Sequence, residues 1–66
     1  MKNSLKVQRA IKNITQAELA DLVKVSRQTI NTMESGKYIP STVLALKIAA
    51  VFGIPVEQVF ELEEED

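Results

Sequence analysis

TQAELADLVKVSRQTINTMESGK, residues 15–37, decides how the chain is read. Thr15 stands three residues before Glu18, the spacing at which each side chain can cap the other's backbone N–H at a helix start. Leu19, Ala20 and Val23 then fall on one helical face. After the short connection KVS, Ser26 is a natural N-cap for a second helix that runs to about Ser35, and Gly36 suits the left-handed residue that closes a helix. Two short helices so joined have the dimensions of a helix-turn-helix.

The second of these helices has little to bury. Only Ile30 and Met33 are apolar, whereas Arg27, Gln28, Asn31, Thr32 and Ser35 fall at i, i+1, i+4, i+5 and i+8, one continuous opposite face. A solvated face usually mixes Lys and Glu, which are strong helix formers; Thr and Asn are mediocre ones and need another reason to be there. Arg pairs bidentately with guanine O6 and N7, Gln and Asn with adenine N6 and N7, and Thr offers a methyl to thymine. The chemistry is that of reading base edges in double-stranded DNA.

Outward from this stretch, Ser4 to about Lys12 predicts a short amphipathic helix with Leu5, Ala10 and Ile11 as its apolar residues. KYIP is a connection ended by Pro40. Ser41 can cap a helix carrying Leu44, Ala45, Ile48, Ala49 and Phe52 at helical spacing, which Gly53 closes. Past Pro55, Val56, Val59 and Phe60 recur at i, i+3 and i+4, enough for one closing helix. The alternation of Phe60, Glu61, Leu62 and Glu63, set against the basic start MKNSLKV, allows the two ends to pair as short antiparallel strands with opposite charges apposed; frayed ends are the alternative. The expectation is an all-α, five-helix single domain over residues 1–66, with an acidic tail at 61–66.

Composition narrows the function. The chain has no His and no Cys, so imidazole bases, thiolate chemistry and the usual zinc ligand sets are absent; no Gly-rich phosphate loop is present, and no enzyme, metal or cofactor is expected. No small-molecule ligand is evident. No apolar run approaches the roughly 20 residues of a membrane span and the start lacks an uninterrupted apolar stretch, so a cytoplasmic protein without membrane contact is expected. The formal charge of −1 is unevenly placed: six of nine acidic residues lie in the last ten positions, while eight positive and three negative side chains give residues 1–56 a charge of +5. A polyanion approaching the body of the domain meets a positive surface. The tail itself reads as a solvated segment or as an electrostatic competitor of DNA.

The chain also resembles a known family, the phage-repressor and Cro-like helix-turn-helix domains, on the stretch of residues 15–37, then Pro40, then LALKIAAVFGIPVEQVF, essentially its whole length. The resemblance implies a repressor-like fold in which residues 15–23 form the positioning helix, with Gln16 contacting a phosphate. It implies base reading by Arg27, Gln28, Asn31 and Thr32, and backbone contacts by Lys37, Tyr38 and Ser41, to which Lys24 and Ser26 in and after the turn are added. Arg9 and Glu34 match a pair that the family often forms between its first and third helices, structural in role. One departure stands out: Lys24 occupies the turn position where the family usually has Gly, and if the backbone there needs φ > 0 this costs roughly 1 kcal/mol.

A sequence-specific transcriptional regulator, a repressor in the first instance, is therefore expected; the rival is an antitoxin-like or adaptor module using the same helices to grip a protein, although the polar face lacks the aromatic anchors of an interface core. One recognition helix reads only a few base pairs, so a homodimer on a palindromic operator is expected, its half-sites roughly 34 Å apart and its interface formed by Ile54, Val56, Val59 and Leu62.

Overall fold

The computed structural model describes all 66 residues. In chain order they form β1 (Lys2–Asn3), α1 (Leu5–Lys12), α2 (Gln16–Val23), α3 (Arg27–Glu34), α4 (Thr42–Phe52), α5 (Val56–Val59) and β2 (Phe60–Glu61). The five helices enclose one apolar cluster in which Leu5, Leu19, Ile30, Met33 and Ile48 are fully buried, each contributed by one of the first four helices. The fold is thus mostly helical, with a two-stranded ribbon joining its ends.

Local chemistry explains each boundary. Thr15 Oγ1 accepts from the Glu18 N–H at 3.0 Å while Glu18 Oε1 accepts from the Thr15 N–H at 2.9 Å, completing the capping box. Ser26 and Ser41 cap α3 and α4 by accepting from the N–H groups of Thr29 and Leu44. Gly53 ends α4 in the left-handed region at φ 67°.

Three expectations change. In α1 only Leu5 is buried, and Ile11 is 70 % exposed with Ala10 exposed beside it. The inward-facing residue one turn after Leu5 is Arg9, which turns Ala10 and Ile11 away by 100° and 200° at the rotation of about 100° per residue. Ser4 precedes α1 without capping it, since its hydroxyl donates instead to the Gln58 carbonyl at 2.7 Å. Phe60, read as the end of the closing helix, is extended at φ −121° and ψ 133°. Antiparallel pairing of Asn3 with Phe60 and of Lys2 with Glu61 satisfies the backbone there, and strand alternation still turns Phe60 inward and Glu61 outward. The ends therefore pair, with the charges of Lys2 and Glu61 opposite one another. Further along, the amino group of Met1 meets Glu63 at 3.0 Å and Asp66 at 3.2 Å.

The ribbon is tied into the helices. Asn3 Nδ2 donates to the Met33 carbonyl at 2.8 Å, at the end of α3, and its Oδ1 accepts from the Leu5 N–H at the start of α1.

The turn between α2 and α3 does require a left-handed residue. Lys24 has φ 61° and ψ 46°, and the next N–H, of Val25, reaches back to the Ala20 carbonyl at 3.0 Å. A side chain with a Cβ costs about 1 kcal/mol there. Replacing Lys24 with Gly is expected to stabilise the domain by about 1 kcal/mol, raising the thermal midpoint by roughly 4–8 °C in a domain of this size, as followed by circular dichroism.

Candidate nucleic-acid interface

α3 is held by its two apolar residues and presents the rest. Ile30 and Met33 are 0 % exposed, while Arg27, Gln28 and Asn31 stand in solvent and Thr32 is half-buried. The Thr32 hydroxyl donates to the Gln28 carbonyl at 2.9 Å and accepts from Gln28 Nε2 at 3.2 Å, so both of its hydrogen-bonding functions are engaged within α3. Ser35 bends back to donate to the Thr32 carbonyl at 2.6 Å. The helix therefore offers a guanidinium, an amide of Gln28 tethered at its base, and the amide of Asn31 whose Nδ2 has no partner within the chain.

The groups expected at a DNA backbone divide between the two ends of α3. At its start, Arg27 shares an open groove with Lys6, Arg9, Asn13, Thr15 and Gln16, where the end of α1 meets the beginnings of α2 and α3. Lys6 was not singled out from the sequence; its spacing of three from Arg9 on one helix was the available signal. Lys24 is exposed at the turn, and Ser26 is occupied as the α3 cap, sharing a hydrogen bond with Thr29 Oγ1 at 2.9 Å. Past the other end of α3, Gly36 at φ 81° redirects the chain so that Lys37 and Tyr38 stand exposed, followed by Ser41 at the start of α4.

Beneath this surface lies a polar network. Arg9 grips Glu34 with two parallel bonds, Nε to Oε2 at 2.5 Å and Nη2 to Oε1 at 3.1 Å, and its Nη1 donates to the Ile14 carbonyl at 3.1 Å. The two side chains are only 15 % and 9 % exposed. Gln16 Nε2 donates to Glu34 Oε1 at 3.0 Å and to Asn31 Oδ1 at 3.2 Å. The Gln16 amide nitrogen is thereby bonded twice within the chain, once to a part-buried carboxylate and once to an exposed amide. Burial alone would raise the Glu34 carboxyl, but the hydrogen bonds from Arg9 and Gln16, with the charges of Arg9 and Lys6, outweigh it and hold the group below its ordinary range. The same hydrogen bond to Glu34 raises Arg9 above its usual value.

A separate, apolar groove runs along α4 and α5. It is lined by Met1, Ile39, Pro40, Ala45, Leu46 and Val56 among others, and Ile39, Leu46 and the neighbouring Val43 are well exposed. Of the residues expected at a dimer surface, Val56 lies in this groove, Leu62 is 75 % exposed and Ile54 is half-buried. Val59 is 1 % exposed, because the inner side of α5 is spent on the core, and it presents nothing to a partner.

Comparison with known proteins agrees with this geometry. Residues 5–59 match the model of a helix-turn-helix family. Over 66 residues the chain is 52 % identical to an uncharacterized HTH-type transcriptional regulator of Methanocaldococcus jannaschii and 47 % identical to YgzD of Bacillus subtilis, described in the same terms, with both chains covered throughout in each case. It is 48 % identical to another such protein of Archaeoglobus fulgidus, covering the whole of this chain and 93 % of that one. The chain belongs to the helix-turn-helix family that its resemblance to phage-repressor and Cro-like domains implied. No helix is long and apolar enough to cross a membrane.

The depressed carboxyl of Glu34 has a pH signature. With its folded value below the unfolded one, near 4.5, its contribution to stability is full above that value and is lost as the pH falls through the folded value. Wild-type stability, measured by denaturant unfolding, is expected to fall more steeply below about pH 4.5 than that of Glu34→Gln, which has no carboxyl to protonate at this position. At neutral pH Glu34→Gln is expected to be the less stable of the two, because Arg9 has lost its counter-charge.

Proposed function

We propose that this protein is a DNA-binding transcriptional regulator that acts as a homodimeric repressor and reads the major groove with α3. The observation that carries the reading is the composition of one helix: its apolar residues are entirely consumed by the core while Arg27, Gln28 and Asn31 project into solvent with free hydrogen-bonding groups. A major groove about 12 Å wide admits such a helix, and these are the side chains that discriminate base edges. Thr32, its hydroxyl already satisfied, contributes a methyl for apolar contact with thymine. Lys37, Tyr38 and the start of α4 at Ser41 at one end of α3, with Lys6, Lys24 and the Ser26 turn toward the other, supply backbone contacts that set register rather than sequence.

In the base-reading set, Arg27→Ala and Gln28→Ala are expected to relax sequence preference, each contact being worth about 1–3 kcal/mol against the wrong base. Lys37→Ala is expected to weaken binding to all sequences alike and to reduce the log–log salt slope by roughly 0.9. Titration of labelled duplexes at several salt concentrations measures both; unaltered discrimination in the first two variants overturns the assignment of base reading.

The proposed dimer uses the apolar groove of α4 and α5 rather than the buried Val59. Val43 and Leu46 are exposed aliphatic side chains about one turn apart on α4, and Leu46 shares the groove with Ile39 of the preceding loop and with Val56. A twofold axis through such a patch makes it self-complementary, and reading a palindrome requires the two α3 helices to lie about one DNA turn, roughly 34 Å, apart. A dimer occupying its operator excludes other proteins from it, which is repression by occlusion. Sedimentation is expected to give a dimer for the wild type and a monomer for Leu46→Glu, with the monomer protecting a single half-site; a wild-type monomer at micromolar concentration overturns the dimer.

A further inference from the structure

We infer that Gln16 is a positioning residue that fixes the polarity of the Asn31 amide, so that Asn31 addresses DNA as a hydrogen-bond donor. The inference rests on the proposed DNA reading and specifies one contact within it. Three groups make the chain: Glu34 Oε1, Gln16 Nε2 at 3.0 Å from it, and Asn31 Oδ1 at 3.2 Å from the same Nε2.

The order of atoms along this chain is forced from its inner end. Glu34 is paired with Arg9 through both carboxylate oxygens and is ionised, so it only accepts. The Gln16 atom that faces it must donate; the flipped amide would set a carbonyl oxygen against a carboxylate. With one hydrogen of Nε2 on Glu34, the other points at Asn31, which must answer with its carbonyl oxygen. Rotation of the Asn31 amide would bring two NH2 groups together and break this bond. Its Nδ2 is consequently the end turned away from the protein, without a partner in the chain and in solvent on the outer face of α3.

A fixed amide reads differently from a free one. A free Asn serves donors and acceptors equally, because flipping costs it little. Held by Gln16, the Asn31 amide donates to purine N7, guanine O6 or thymine O4, and is mismatched to the exocyclic amine of cytosine, which needs an acceptor. Adenine is matched through N7 alone, since Oδ1 faces Gln16 and is turned from the exocyclic amines of adenine and cytosine alike. The device converts a largely buried ion pair between α1 and α3 into a preference at one operator position. It also reassigns Gln16, whose amide nitrogen is bonded twice within the chain, from phosphate binding to orientation.

Selection of bound duplexes from a random library with the full chain, for wild type, Gln16→Met and Asn31→Asp, tests this. Methionine keeps the length and helix preference of Gln16 but cannot hold Asn31. The expected result is that Gln16→Met loses discrimination against cytosine at one position per half-site, by roughly 10-fold, while the preferences due to Arg27 and Gln28 stay. Asn31→Asp, which presents an acceptor in place of Nδ2, shifts that same position toward cytosine. Uniform weakening of Gln16→Met on every sequence, with its preferences intact, is the result of a phosphate contact and overturns the inference. Failure of the wild type to select any sequence overturns the DNA reading instead. In that event a DNA-free measurement decides the relay: the Gln16 side-chain NH2 resonances move with protonation of Glu34, and the Asn31 NH2 resonances shift in Gln16→Met. Resonances of Asn31 unchanged by that substitution refute the relay whatever the protein binds.

Discussion

A carboxylate that is nine-tenths covered cannot be left without partners, and satisfying Glu34 organises three of the five helices. Arg9 reaches it from α1 with two bonds and Gln16 reaches it from α2 with one, so the end of α3 is anchored to both helices by contacts that tolerate little sliding. Such a pair adds little net stability compared with well-packed apolar residues, but breaking one side of it is costly. What it does here is geometric. The apolar contacts of Ile30 and Met33 hold α3 down, whereas the ion pair and its amide extension set its rotation and the direction of what it displays.

The economy of a small domain appears at its ends. A 66-residue chain has limited apolar surface to bury, and 12 residues form its core. The ribbon of β1 and β2 extends that core by closing Phe60 and Val59 over it, while Asn3 adds a side-chain hydrogen bond to the Met33 carbonyl at the end of α3. The same ribbon gathers the acidic tail against the amino terminus, where Glu63 and Asp66 meet the charge of Met1. The body of the domain keeps its positive character beside an acidic segment that is tied to a definite place.

Two surfaces of opposite character result. One is polar, built on α3 and flanked by basic side chains at both ends; the other is aliphatic, built on α4, α5 and the loop through Ile39 and Pro40. They lie on different elements, so an apolar contact along α4 leaves α3 free. That separation is the physical basis for proposing that one surface meets DNA and the other a second copy of the chain.

Much of this was legible from residue order, because helix starts, stops and apolar faces are local properties. The capping box of Thr15 and Glu18, the caps of Ser26 and Ser41, the stop at Gly53 and the left-handed turn at Lys24 all depend on neighbours within four residues. The burial of Leu19, Val23, Ile30 and Ile48 follows from the helical period alone. Period fails where a helix is short and one inward position is charged: in α1 the inward Arg9 leaves Ile11 in solvent, and nothing local to α1 announces that Glu34 waits for it. In the same way, Phe60 fits a helical spacing, and only the arrival of Asn3 from the other end of the chain makes it a strand. The sequence by itself determined which residue types stand on the outer face of α3. Which hydrogen-bonding atom of Asn31 faces outward was decided by the tertiary structure, since an amide has two ends and only a carboxylate and a guanidinium brought in from other helices distinguish them.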